Sequence, residues 1–137
     1  MSVLNKTNLS AYADVLAQLG GKQIPDYWSP FACKAADKTF GDRYEFQWMG
    51  HAVELFFSPG HSAGSCCIVV DDLLFVGDTV LENNLMVKFP GSSKKLYRSL
   101  TAPLLEKLLA ENRISSVYPG HGDIMMPEKA LGLVRGV

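Results

Sequence analysis

Three short stretches place residues that could do chemistry at the ends of hydrophobic runs. His61 lies in "SPGHSAGSCCIVV", Asp78 in "LLFVGDTVL" and His121 in "VYPGHGD". Two imidazoles and one carboxylate suit a transition-metal ion that keeps open coordination positions. Such an ion makes a bound water nucleophilic near neutral pH. A proline and a glycine precede each histidine, so each ring projects from a tight turn. Taken singly, each residue reads more simply as part of a surface turn. "GHSAG" also fits the G-x-S-x-G nucleophile elbow, and Ser62, Asp78 and His121 fall in the Ser…Asp…His order. That elbow requires a helix after the serine, whereas "SCCIVVDD" reads as a strand. His51 sits in the "MGHAV" turn and reads as a solvated turn residue.

The elements around these residues decide whether they meet. "YEFQWMGHAVELFF" reads as two strands around Gly50 and His51, and "SCCIVVDDLLFVGD" as two more around Asp71 and Asp72. "SSKKLYRSLTAPLLEKLLAEN" has leucines at 96, 100, 104 and 108 and reads as helical. Pro103 divides it, with Thr101 as the expected cap of the second piece. "ISSVYP" is a last strand, parallel to its predecessor through a right-handed crossover, and "MPEKALGLV" a last helix. Further upstream, "SAYADVLAQLGG" reads as a helix capped by Ser10 and stopped by Gly20 and Gly21, and "GKQIPDYWSP" as a short strand and turn. Strands 52–57, 73–76 and 114–118 all run toward one edge. His61, Asp78 and His121 are therefore expected on loops at the same edge of one sheet.

The chain has 137 residues, 47% hydrophobic and 20% charged, and its net charge is −1. These values predict one domain over 1–137. The absence of a basic block argues against a nucleic-acid partner. No apolar run is long enough to span a membrane, and "MSVLNKTNLS" lacks the features of a secretory signal, so the cytoplasm is the expected compartment. Cys33, Cys66 and Cys67 lack metal-type spacing and read as structural thiols.

In order, "SPGHSAGS", "LLFVGDTVL" and "VYPGHGD" resemble the third, fourth and fifth metal-ligand motifs of the metallo-β-lactamase superfamily. "FGDRYEFQWMGHAVELFF" resembles the paired strands before the third, so the likeness runs from about Thr39 to Asp123. It implies a mixed α/β fold: part of an αββα sandwich with its site at the sheet edge, of the glyoxalase II-like metallo-hydrolase type. It implies His61, Asp78 and His121 as metal ligands, Asp78 as the bridging and candidate catalytic carboxylate, and zinc or another transition metal as cofactor. Groups with a cysteine in place of Asp78 carry the true β-lactamases, so antibiotic hydrolysis is not favoured. The family's H-x-H-x-D-H motif does not occur; His51 is the first histidine. Asn8, Ser10, Tyr12 and Ala13 stand where an alignment would put the two histidines, the aspartate and the third histidine. The family's opening strands also lack counterparts, which leads us to expect an N-terminally truncated domain with the first sheet largely missing.

Two functions follow. One is a superfamily protein that retains the later motifs yet is impaired or inactive as a hydrolase, binding metal weakly or not at all. The other is a metal-dependent hydrolase of a thioester, lactone or phosphoester whose site a second chain completes. An uncovered sheet face would also favour a homodimer. The apolar positions Val53, Leu55 and Phe57, Ile68 and Val70, and Leu74 and Val76 are expected to form that face.

Overall fold

The computed structural model describes residues 36–82 and 91–136. They fall almost wholly within one compact unit, Phe40–Val137. The expected helix and strand between residues 10 and 30, the alignment over Asn8 to Ala13, and Cys33 lie outside the described residues.

Among the described residues, alternating apolar residues and tight turns build a five-stranded sheet. Its strands are β1 (Arg43–Trp48), β2 (His51–Phe57), β3 (Cys66–Val70), β4 (Leu73–Gly77) and β5 (Ser116–Pro119). They lie side by side in that order. The first three pairings are antiparallel and β4–β5 is parallel. Met49 and Gly50 join β1 to β2 with φ of +50° and +91°. Two successive positive values are what a two-residue hairpin turn requires, because its twist must match that of the strands. His51 is thus the first residue of β2 rather than part of the turn. Its Nδ1 lies 2.6 Å from Asp71 Oδ2, so it is partnered as well as exposed.

Register decides which apolar residues share a face. Val69 lies opposite Leu74, and Leu74 opposite Val117. These residues, with Phe56, Cys67 and Val76, are buried in one core with Leu105, Leu108, Leu109, Ala130 and Val134 of the helices. The expected single face therefore divides. Leu74 and Val76 point into the helix-covered core. Val53, Leu55, Ile68 and Val70 share the opposite face with Phe75 and Tyr118, whose rings stack with centroids 4.9 Å apart. The reason is the period of two along each strand.

Between β4 and β5 the chain forms α1 (Lys94–Leu96), a π-helical turn (Tyr97–Thr101) and α2 (Ala102–Ala110); α3 (Pro127–Arg135) follows β5. Within the π turn the Ala102 N–H reaches back to the Tyr97 carbonyl. Pro103 explains its position. Proline has no N–H and its ring crowds the carbonyl four residues earlier, which favours a local widening. That widening changes the buried stripe. Tyr97, Thr101, Leu105 and Leu108 face the core, while Leu96 and Leu100 are exposed. The four-residue leucine spacing that names the helix does not trace its inner face: of the four, Leu108 alone is buried. Thr101 does not cap α2 either. It is helical and makes no side-chain capping bond; its buried hydroxyl donates to the Pro59 carbonyl at 2.5 Å.

Candidate metal centre

The loop after β2 is fixed before it reaches His61. Ser58 and Pro59 are buried, and the Ser58 N–H donates to the Ser65 carbonyl at 2.9 Å. Thr101 holds the Pro59 carbonyl from below, while the Ser93 N–H holds the Gly60 carbonyl at 2.7 Å. Gly60 has φ of +150°, and a Cβ there would lie 2.8 Å from Cβ of Tyr97. Only glycine fits so close to the helix at that backbone angle. From the sequence Tyr97 was not singled out, and Thr101 only as a helix cap, not as the support of this loop. The only signal was Pro103, which disturbs the helix beside them.

Asp78 follows β4 through Gly77, whose φ is +51°. The Gly120 N–H donates to the Gly77 carbonyl at 2.8 Å, tying the loop after β5 to the loop after β4. A methyl on Gly120 would overlap Asp78 Oδ1, so this glycine shapes the seat of the carboxylate. Met125 returns antiparallel to Val117, with reciprocal N–H···O bonds of 2.9 Å. His121 is thereby carried on a loop pinned at both ends.

The three sequence-predicted residues meet. His61 Nε2 lies 3.8 Å from Asp78 Oδ2, and His121 Nε2 lies 3.5 Å from Asp78 Oδ1. Each imidazole faces a different oxygen of one carboxylate. His61 is mostly buried, with 21% of its side chain exposed, whereas His121 is 78% exposed. As a candidate metal centre the arrangement offers two half-sites, each with one nitrogen and one oxygen donor. Among the described residues no group of three or more His, Cys, Asp or Glu is placed to hold one metal ion. A zinc centre takes four ligands, and a catalytic one draws at least three from the protein. The described donors therefore do not make a full set for either half-site.

Ser62 is accounted for differently. Its Oγ lies 2.8 Å from Ser65 Oγ, and its N–H donates to the same atom at 3.0 Å. It sits in a turn that enters β3, so the strand–turn–helix context of a nucleophile elbow is absent. Cys67 is fully buried, and burial pushes its thiol up to about 12. A thiol so far from ionisation is an inert part of the core, as expected; Cys66 and Cys67 are both free.

No family model matches the chain. It is 31% identical over 87 residues to a hydroxyacylglutathione hydrolase of Rhizobium meliloti, a match covering 62% of this chain and 32% of that protein. It is 33% identical over 82 residues to a "Probable metallo-hydrolase" of Methanocaldococcus jannaschii, covering 58% of this chain and 39% of the relative. Among solved structures, an archaeal metallo-β-lactamase superfamily protein of Sulfolobus tokodaii superposes with a TM-score of 0.63 at 23% identity, over 96% of this chain and 50% of that one. A protein described in a di-iron-bound form superposes with a TM-score of 0.54 at 21% identity, over 90% of this chain and 57% of its own. The homologues and structural neighbours are thus metallo-β-lactamase superfamily proteins, glyoxalase II among them, and the fold is part of theirs. The chain matches about a third of the length of these curated relatives. No helix among the described residues is long and apolar enough to cross a membrane.

Proposed function

We propose that this chain is a hydrolase-like protein of the metallo-β-lactamase superfamily whose site, in this chain alone, is impaired. The carrying observation is the division of Asp78 between His61 and His121, which leaves two donors from the described residues in each half-site. A metal held by two protein donors exchanges readily with water and buffer, so it is weakly bound and poorly placed to present a nucleophile. Zinc or another transition metal remains the cofactor class these donors suit. Iron enters the range because a structural neighbour is described as di-iron-bound.

One observation supports a second reading, in which another chain completes the site. His121 and Asp78 are open to solvent at the sheet edge, so donors from outside can reach them. The substrate would then be a small-molecule thioester, lactone or phosphoester, and the relatives named hydroxyacylglutathione hydrolase favour the thioester.

The two readings separate in a thioesterase assay of the purified chain with added zinc or iron. The impaired reading predicts turnover at the uncatalysed rate. Metal-dependent thioester hydrolysis that His61→Ala and His121→Ala both abolish would overturn it and favour the second.

A further inference from the structure

The two most exposed large apolar residues of the sheet strands, Phe46 and Trp48, lie along one edge; among those on the inner strands Phe75 alone, at 36%, is as exposed as Tyr44. β1 is an outermost strand, and its only neighbour among the described residues is β2. On the face opposite the helices, Val53 is buried and Leu55, Phe57, Ile68 and Val70 are half-buried. Tyr44, Phe46 and Trp48 of β1, on that same side, are 36%, 41% and 60% exposed. Their rings already form a row. Tyr44 stacks obliquely on Phe46, with centroids 5.8 Å apart, and Phe40 continues the row at 6.4 Å from Tyr44. On the other side of the strand, Arg43 is held by Glu45 and Glu54 at 2.7 and 2.5 Å. The strand is thus ordered on both sides, yet its outer backbone edge has no partner among the described residues. Natural proteins blunt such edges with lysine, proline or a bulge, because an open edge templates strand pairing. Arg43–Trp48 contains no lysine, proline or bulge.

The partner is named by the symmetry of the strand. Tyr44-Glu45-Phe46-Gln47-Trp48 alternates aromatic and polar residues and reads alike in both directions. A two-fold axis at Phe46, perpendicular to the sheet, would set two copies antiparallel with their aromatic rows on one side. It opposes Tyr44 to Trp48, Phe46 to Phe46, and Glu45 to Gln47. Moving the axis to Glu45 keeps the faces matched but sets two glutamates directly opposite, which is unfavourable. Moving it to Gln47 shortens the overlap. Sequence and charge therefore select one register, and self-complementarity about an axis is what an isologous dimer requires. We propose that β1 is a self-association edge, through which two copies of this chain pair across Phe46 so that their described five-stranded sheets become continuous. This rests on β1 alone and is independent of the reading of the His61–Asp78–His121 site.

The test combines sedimentation with cross-linking of the full chain. The wild type should sediment as a dimer at micromolar concentration. Phe46→Lys, which opposes two charges at the axis, should raise the dissociation constant at least ~10-fold and leave the circular dichroism spectrum unchanged. Phe46→Cys keeps the test valid if the lysine variant fails to fold. Directly opposed Cβ atoms in an antiparallel pair are about 4.5–5.5 Å apart, close enough to bridge. Under mild oxidation Phe46→Cys should form a covalent dimer beyond the wild-type background, and Glu45→Cys should not. A monomer, an open-ended polymer, or a dimer in which position 46 does not cross-link would each overturn the proposal; the last would move the interface to the sheet face.

Discussion

Both ends of the sheet pair histidine with aspartate, and they do so differently. At the hairpin end, His51 Nδ1 and Asp71 Oδ2 are 2.6 Å apart, and Asp71 Oδ1 also accepts the Ala52 N–H at 2.9 Å. At the loop end, His61 and His121 stand 3.8 and 3.5 Å from Asp78, too far for a direct hydrogen bond. The first pair is closed on itself by local geometry. The second group is held by backbone: a buried Pro59 turn, the Gly120–Gly77 bond and the Val117–Met125 ladder. Residues that bond each other need little scaffolding. Residues held just beyond bonding distance need a great deal, and the chain supplies it only at the loop end.

The comparison can be broken first at Gly120. Gly120→Ala forces a methyl onto Asp78 Oδ1 and to 3.2 Å from the Gly77 carbonyl carbon. Such overpacking should cost about 1–3 kcal/mol in denaturant unfolding and shift the His61 and His121 imidazole resonances together. Next comes Thr101→Val, which removes the hydroxyl from the buried Pro59 carbonyl. It should cost about 1–2 kcal/mol and disturb His61 while leaving His121 in place. The smallest effect belongs to the hairpin end. The His51 hydrogen bond and the Ala52 N–H hold Asp71 below the usual carboxylate range. A depressed folded value means that the contribution is present above the unfolded pKa and lost as pH falls through the folded one. Asp71→Asn should therefore lower stability slightly at neutral pH, leave it almost unchanged in acid, and so flatten the acid limb of the stability–pH curve, as measured by thermal melts.

The hairpins, the parallel return of β5 and the meeting of His61, Asp78 and His121 were legible because each depends on local pattern: alternation, turn residues and strand direction. The division of the apolar positions between two faces was not, because it depends on register, and a strand read alone does not say which of its sides the helices cover. The π turn escaped for a similar reason. Leucines at 96, 100, 104 and 108 are consistent with several helical phases, and Pro103 selects one only through the backbone bond it cannot make. His51 looked like a turn residue because its partner, Asp71, lies 20 positions away in the sequence.

The central proposal is that Asp78 divides the described loop-end donors into two half-sites, each too poor in ligands to hold a metal tightly. Calorimetric titration of the metal-free chain with zinc tests it most directly. The account predicts weak, non-saturating heats that change little in His61→Ala or His121→Ala. Tight binding at one or two ions per chain, lost in both variants, would contradict it.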